Sequence, residues 1–288
     1  MGSQKAHNYL EIFRRLWLEQ DPSPAVERVP LLDNAVDEMH GAPGCWIMES
    51  SAGAAVPSKL LCFASGLVAV EKPSGMSTEE VQGHWSSHMQ LPLSTVSRLD
   101  QPTSGILPMA LGNEFKASAH WLRAQFAARL VSKEYICLCK LHTVNTASLC
   151  VGAKGEVSTS LKVSSICGSK HVTTSSHGLS SLTRWEVLAL YRAPAEEESK
   201  LARGLALMRV HPRTGRTHQI RVHLASTGMP LAGDAKYGCI SHGEVHWCPR
   251  LFLHCHKLQL LSLDARRLSI QSELMPELSE VLDRLAVT

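Results

Sequence analysis

The sequence has no uninterrupted apolar run approaching the roughly 20 residues that a membrane-spanning helix requires. It has no CxxC pair and an odd number of cysteines, nine, which argues against a secreted disulfide scaffold. Charged residues interrupt the apolar residues near the N-terminus, so a secretory signal pattern is missing as well. These absences predict a soluble intracellular protein without a membrane partner, in the cytoplasm or in an organelle such as a mitochondrion or plastid.

The 288 residues are 44% apolar and 19% charged, which is typical of globular proteins and long enough for one large or two modest domains. Residues 1–57 carry scattered prolines and acids, and they are predicted to form a short amphipathic helix followed by an irregular extension of unknown function. The sequence pattern changes near residue 58, where short apolar runs begin. We therefore expect residues 58–288 to form the functional domain.

Short apolar runs separated by turn residues follow residue 58 without a regular strand–helix alternation. That pattern favours an α+β fold with a mainly antiparallel sheet over a doubly wound one. Strands are predicted at 60–63, 67–70, 105–107, 135–139, 182–190 and 205–210, helices at 218–226 and 275–285, and loops between short strands at 158–181.

Two local features refine this prediction. Asn113 is expected to cap a helix whose apolar face comprises Phe115, Ala119, Leu122 and Phe126. Pro108 follows the strand texture of 105–107 and lacks a backbone donor, so its strand is expected to lie at a sheet edge or to bend there.

Positive charge is concentrated in one segment. Residues 203–233 contain five arginines and no acidic residue, so this segment carries +5 and the rest of the chain −2. Guanidinium groups bind pairs of phosphate oxygens, which points to nucleic acid. A solvated basic face is the alternative, and charge alone does not separate the two interpretations.

Asp100 is the first candidate for chemistry. It lies in the segment 97–105, where strand texture gives way to a turn through Gln101 and Pro102, and such a carboxylate projects into a cleft easily. The hydroxyls of Thr103 and Ser104 are candidates for fixing the turn. The alternative is an Asx-turn, in which the carboxylate only binds nearby backbone N–H groups.

The segment 209–224 is the second candidate, because Gly215 permits a tight turn and the polar run after it opens a helix. Its histidines 211, 218 and 223 match no common metal-ligand spacing. A zinc site among the His and Cys residues of 242–256 is a further alternative with irregular spacing. The turn 233–238, which contains Asp234, is predicted to shape a loop beside the site.

Taken together, these segments resemble the RluA-like family of RNA pseudouridine synthases over residues 67–260. The matching motifs are Val-Glu-Lys-Pro-Ser-Gly-Met at 70–76, Arg-Leu-Asp at 98–100 with Thr-Ser-Gly at 103–105, Lys-Glu-Tyr at 133–135, Thr-Gly-Arg-Thr-His-Gln-Ile-Arg-Val-His at 214–223, Gly-Asp at 233–234 with Tyr-Gly at 237–238, and Leu-His at 253–254. Ser97 stands where many relatives have His, and no S4-type RNA-binding module precedes the catalytic region.

The resemblance implies a central, mainly antiparallel sheet with flanking helices and an RNA-binding cleft. It implies that Asp100 is the catalytic aspartate and that Arg98 helps to displace the target nucleotide. Tyr135 matches the aromatic residue that packs against the uracil, Ile220 an apolar residue of the uracil pocket, and Arg221 the basic partner of the catalytic carboxylate.

The implied activity is the isomerisation of uridine in structured RNA to pseudouridine, with rRNA or tRNA as the foremost substrates and mRNA also open. Arg209, Arg213, Arg216 and His218 are the predicted RNA-binding residues. The reaction involves no redox step or activated donor, so neither a metal nor an organic cofactor is expected, and no obligate protein partner is evident. A catalytically inactive RNA-binding or RNA-chaperone protein on the same fold is the alternative.

Overall fold

The computed structural model describes residues 45–49, 55–141, 149–166, 169–192, 204–238 and 247–287. The chain divides into two compact units, one within Met1–Ser132 and Lys257–Ser272 and the other within Lys133–His256 and Glu273–Thr288. The helix predicted near the N-terminus lies outside the described residues.

The first unit is built on antiparallel strands. Their bounds are β1 Cys45–Glu49, β2 Ala55–Ala64, β3 Leu67–Lys72, β4 Leu93–Thr95 and β5 Ser104–Leu111. β2 pairs with β1 and β3, and β5 pairs with β3 and β4. The predicted domain boundary after residue 57 falls inside β2, whose later residues pair with β3.

Two helices cover the strands of this unit, α1 Thr78–Met89 and α2 Ala117–Ala127. A capping box starts α1, because Ser77 accepts from the Glu80 N–H and Glu80 accepts from the Ser77 N–H. Its buried side chains Val81, Trp85 and Met89 recur every four residues and therefore share one face.

Two local predictions need correction here. The edge position expected for the strand with Pro108 is wrong, because Met109 and Ala110 pair with β3 and with β4 at once. The helix expected from Asn113 begins only at Ala117. Asn113 instead accepts from the N–H of Phe115, whose side chain is 77% exposed, so a local turn competed successfully with the helix.

Four strands of the second unit pair antiparallel in the order β6–β11–β10–β7. Their bounds are β6 Ser132–Lys140, β7 Lys154–Ser158, β10 Leu182–Tyr191 and β11 Leu205–Pro212. Strands β8 Leu161–Ile166 and β9 Ser169–Thr174 form a separate antiparallel hairpin within the segment predicted as loops between short strands. Two helices, α3 Gln219–Ser226 and α4 Pro276–Asp283, lie close to their predicted bounds.

The remaining strands are β12 Leu253–Leu261 and β13 Arg267–Gln271, which pair antiparallel from Lys257 onward. All the strand pairs named above are antiparallel, which confirms the predicted α+β fold with a mainly antiparallel sheet. Among the described helices, none combines the length and the apolar character needed to cross a bilayer.

Candidate functional site

Asp100 lies in the loop between β4 and β5, directly before the turn through Gln101 and Pro102, whereas the preceding strand β4 ends earlier than expected, at Thr95. Its backbone carbonyl accepts from the N–H of Thr103 at 2.9 Å, which closes the turn through Gln101 and Pro102. Asp100 is half-buried, and Arg98, two residues earlier, is exposed. The loop therefore presents a carboxylate and a guanidinium group from one short segment.

Lys72, the last residue of β3, holds this loop through hydrogen bonds from its side chain. It is fully buried, and its ammonium group donates to the backbone carbonyls of Pro73 at 2.7 Å, Gln101 at 3.1 Å and Thr103 at 2.9 Å. Two of these three acceptors directly follow Asp100 in the turn. A buried charge satisfied by backbone oxygens therefore fixes the path of the loop that carries the carboxylate.

The turn after β3 binds the same loop from its other side. The Ser74 hydroxyl donates to the Pro102 carbonyl at 2.8 Å. The Gly75 N–H donates to the Gln101 carbonyl, and the Gln101 side chain returns a hydrogen bond to the Gly75 carbonyl, both at 2.9 Å. Reciprocal hydrogen bonds between two loops lock each in one register.

A third attachment comes from Thr78 in the first turn of α1. Its hydroxyl accepts from the Leu99 N–H at 3.2 Å and lies 3.3 Å from the Leu99 carbonyl, next to Asp100. The hydroxyl of Thr103, a candidate for fixing the turn, is buried with no hydrogen-bond partner among the described residues. Thr103 acts through its backbone groups instead.

We expect Lys72→Met to destabilise the first unit by about 2–3 kcal/mol, because the carbonyls that Lys72 satisfies lose a buried donor. The uncoupled loop should also lower kcat for uridine isomerisation more than it changes the KM for RNA. Urea unfolding and steady-state kinetics measure the two effects. Lys59→Met, on an exposed side chain of the same unit, is the matched control. Equal effects of both substitutions would contradict this role of Lys72.

In the second unit, Tyr135 and Ile220 belong to the same apolar cluster. Tyr135 lies on β6, opposite Val210 of β11, and packs partly buried against a core that includes Ile220 and Leu224 of α3. Ile220 is 6% exposed. Two of the residues predicted to contact the uracil are therefore associated with one apolar cluster of the second unit.

Gln219 fixes the start of α3. Its side-chain oxygen accepts from the Thr214 hydroxyl at 2.6 Å and the Arg216 N–H at 3.0 Å. Its side-chain nitrogen donates to the Leu182 carbonyl at 3.0 Å and the Thr183 hydroxyl at 2.9 Å. This saturates the buried amide, so Gln219 ties the loop before α3 to strand β10 and fixes the helix that carries Ile220 and Arg221.

Arg221 forms a two-pronged ion pair with Asp234 that the sequence did not reveal. Its Nε lies 2.8 Å from one carboxylate oxygen and its Nη2 2.7 Å from the other, and both side chains are almost completely buried. The guanidinium group also lies over the ring of Tyr237, 5.0 Å from its centroid. Asp234 and Tyr237 together determine the orientation of Arg221.

Asp234 also shapes its own loop, as predicted, by accepting from the N–H groups of Lys236 at 2.9 Å and Tyr237 at 3.1 Å. Burial by itself raises the pKa of Asp234. The hydrogen bonds and charge of Arg221, with the two backbone N–H groups, outweigh burial and lower the pKa below its ordinary value. Asp234 is therefore ionised at neutral pH.

Arg209 has carboxylate partners on the neighbouring strands. It lies 3.2 Å from Glu134 on β6 and 3.1 Å from Glu186 on β10, and Glu186 also lies 3.5 Å from Lys154 on β7. The sequence showed no acid near Arg209 because strand pairing supplies these carboxylates from distant positions. By contrast, Arg213 is exposed and Arg216 half-buried, and neither forms an ion pair within the described residues.

The three histidines considered as metal ligands have separate partners. His218, the N-cap of α3, lies 2.7 Å from the Tyr237 hydroxyl, and His211 lies 3.9 Å from Glu134. His223 is fully buried beside the Thr183 hydroxyl at 2.9 Å, and burial lowers its pKa, which favours the neutral ring. No three His, Cys, Asp or Glu side chains of the described residues are arranged to hold a metal ion, and His242 and His246 lie outside those residues.

Comparison with known proteins gives a consistent result. The family model described as RNA pseudouridylate synthase matches residues 65–226. The tRNA pseudouridine synthase C of Haemophilus ducreyi is 28% identical over 210 residues, which cover 67% of this chain and 80% of the relative. The ribosomal large subunit pseudouridine synthase C of Pasteurella multocida is 33% identical over 197 residues, covering 67% of this chain and 54% of the relative.

The dual-specificity RNA pseudouridine synthase RluA of Vibrio cholerae is 27% identical over 215 residues, covering 66% of this chain and 79% of the relative. Among solved structures, human RNA pseudouridylate synthase domain containing 1 aligns with a TM-score of 0.63 at 24% identity, covering 80% of this chain and 88% of that one. Human RNA pseudouridylate synthase domain containing 4 aligns with a TM-score of 0.57 at 22% identity, covering 80% and 93%. These two structures share the fold.

Proposed function

Since the chain belongs to the RNA pseudouridylate synthase family, we propose that it isomerises selected uridines of structured tRNA or rRNA. Members of this family, of the RluA-like type predicted from the motifs, convert uridine in RNA to pseudouridine, and this chain is an isomerase of that kind. The choice between tRNA and rRNA rests on the names of its relatives, which include synthases for each.

The reaction breaks the bond from ribose C1′ to N1 of uracil and forms a bond from C1′ to C5. The base must leave its stack, detach, rotate while held, lose its C5 proton and take up a proton at N1. Extruding a base costs a few kcal/mol, and stacking on an aromatic ring returns about 1–3 kcal/mol. We assign Asp100 as the catalytic carboxylate, acting as a nucleophile or by stabilising positive charge on the sugar.

The observation that carries this assignment is the attachment of the Asp100 loop. Lys72, the Ser74–Gly75 turn and Thr78 fix the backbone on both sides of this one carboxylate. A reaction that depends on near-ångström placement of a reacting group benefits from such preorganisation. A carboxylate that served only to shape a surface turn would not require a buried lysine that binds the backbone of its loop.

The other assignments follow the family motifs. Arg98 is proposed to contact the RNA at the displaced nucleotide, Tyr135 to stack on the uracil and Ile220 to line its pocket. Arg221 is proposed to keep the catalytic carboxylate ionised. Its ion pair with Asp234 fixes the guanidinium group in one orientation, so the group does not reorganise during the reaction, while the Asp234 carboxylate offsets part of its charge.

Arg213, Arg216 and His218 are proposed to bind RNA phosphates around the start of α3. Arg209 is proposed to contribute less, because Glu134 and Glu186 already offset its charge. The proposed catalytic domain comprises residues 58–288, with 1–57 as an extension. The residues proposed to bind RNA phosphates thus differ from those proposed to carry out the reaction, and both groups lie within residues 58–288.

The decisive experiment uses tRNA and rRNA transcripts labelled with tritium at uridine C5. The purified chain should release tritium from one of these transcripts, because forming the new bond at C5 expels the C5 proton. Sequencing of the product then locates the pseudouridine. If the chain binds these transcripts tightly yet releases no tritium from any of them, it is an inactive RNA-binding protein and the proposed activity is wrong.

A further inference from the structure

Two acid-free stretches of the second unit pack against each other. No Asp or Glu occurs in residues 157–185 or in residues 204–233. The first stretch contains the hairpin β8–β9 and the second contains α3. Their contact places two segments without acidic side chains next to each other, although they are separate in the sequence.

The hairpin is fixed to α3 and to the loop that follows it. Leu161 and Val172 of the hairpin are buried against Val222 of α3 and against Tyr237. The Val172 N–H donates to the Tyr237 hydroxyl at 3.1 Å, and the Lys236 ammonium group donates to the carbonyl of Lys170 in β9. The hairpin is therefore a positioned element of the unit.

Its cations have no carboxylate partner within the described part of the chain. Lys162 and Lys170 on the hairpin and Arg213 before α3 are exposed, and none of them forms an ion pair there. Arg184, by contrast, is paired with Glu156. Asp234, the first acid after the second stretch, is buried against Arg221, so the positive charge is not offset locally.

Two polar atoms of this region also lack a partner. Nδ1 of His171 and Nε of Arg216 are buried and form no hydrogen bond within the described residues. Arginine Nε is always a donor, so this atom requires an acceptor that the described chain does not supply. Exposed hydroxyls occur on both faces of the hairpin: the strand register places Ser164 and Thr173 on the face of Lys162, and Ser165 and Thr174 on the face of Lys170.

We propose that the hairpin β8–β9, together with residues 213–216, is a docking surface for the phosphate backbone of the RNA substrate. This inference rests on the proposed function and adds a contact surface that is separate from the residues assigned to the chemistry. Lysine, arginine, serine and threonine side chains are the usual phosphate ligands in nucleic-acid complexes. RNA is the occupant favoured over an acidic protein, because the chain belongs to a family that acts on RNA.

The test compares Lys162→Gln/Lys170→Gln with Lys59→Gln/Lys116→Gln, which removes two exposed lysines from the first unit. Binding of an unmodified tRNA transcript and of an rRNA transcript is measured across a salt series in the Asp100→Asn background. The hairpin variant should lose about tenfold in affinity near 100 mM salt and shift the salt slope by about 2. The control variant should change neither quantity.

Turnover with otherwise wild-type protein supplies the second readout. The hairpin variant should raise KM about tenfold with kcat unchanged, and Lys162→Arg/Lys170→Arg should restore wild-type KM because it retains both charges. If the Gln variant matches its control in affinity and KM while wild type turns over, the docking surface is wrong. If wild type binds RNA and never turns over, the proposed function fails and the affinity comparison still decides the surface.

Discussion

Asp100→Asn is expected to lower the rate of pseudouridine formation by at least about a thousandfold, the largest effect of any single change in this chain. The amide is nearly the same size as the carboxylate but can neither attack carbon nor stabilise a positively charged sugar. Because the backbone around it is fixed by Lys72 and Thr78, the loop should keep its structure. The loss should therefore appear in kcat.

Single-turnover tritium release with saturating enzyme measures this chemical step. RNA affinity should change by less than about threefold, because the substitution keeps the size of the side chain and the fixed backbone of the loop. Glu79→Gln, an exposed carboxylate in the first turn of α1, is the matched control and should be as active as wild type. An Asp100→Asn protein that keeps more than a tenth of the wild-type rate would refute the assignment.

The elements of the fold followed from local patterns to a large extent. The apolar-faced segments at 218–226 and 275–285 are helices within about two residues of their predicted bounds, because hydrophobic periodicity acts over neighbouring residues; neither N-cap residue makes a side-chain cap hydrogen bond. The helix predicted to follow Asn113 begins only at Ala117, since an Asn side chain stabilises a turn as readily as a helix start.

The hydrogen bonds and ion pairs of the candidate site were much less predictable. The motif 70–76 was visible in the sequence, but the role of Lys72 depends on carbonyls near residue 101, which only tertiary structure brings to it. Arg209 likewise stood in an acid-free segment, while its carboxylate partners come from the register of β6 and β10. Sequence patterns identify residue types and local spacing, whereas pairing of charges depends on strand register.

Breaking the Arg221–Asp234 pair is expected to have the second largest effect. Asp234→Asn should destabilise the protein by about 3–5 kcal/mol at neutral pH, because it leaves a buried guanidinium group without a counter-ion. The substituted amide retains an oxygen for the N–H groups of Lys236 and Tyr237, so the loop itself is conserved. Urea unfolding monitored by tryptophan fluorescence measures the change.

The pH dependence of this contribution has a definite sign. Arg221 and the backbone donors lower the pKa of Asp234 in the folded protein, so the pair stabilises fully above the ordinary carboxyl pKa of about 3.9. The contribution is lost as the pH falls from about 4 through the lower folded pKa. Wild type and Asp234→Asn should therefore differ most in stability at neutral pH and converge in acid. A difference that grows below pH 4 would contradict this account.

The double variant Arg221→Met/Asp234→Asn separates structure from catalysis. Removing both charges should recover part of the stability lost by either single substitution, since no unpaired buried charge remains. Activity should not recover, because the guanidinium group proposed to act on the catalytic carboxylate is gone. If Arg221 served the fold alone, activity would return with stability in the double variant. A stable and fully active double variant would therefore remove Arg221 from the mechanism while leaving its ion pair with Asp234 as a structural feature.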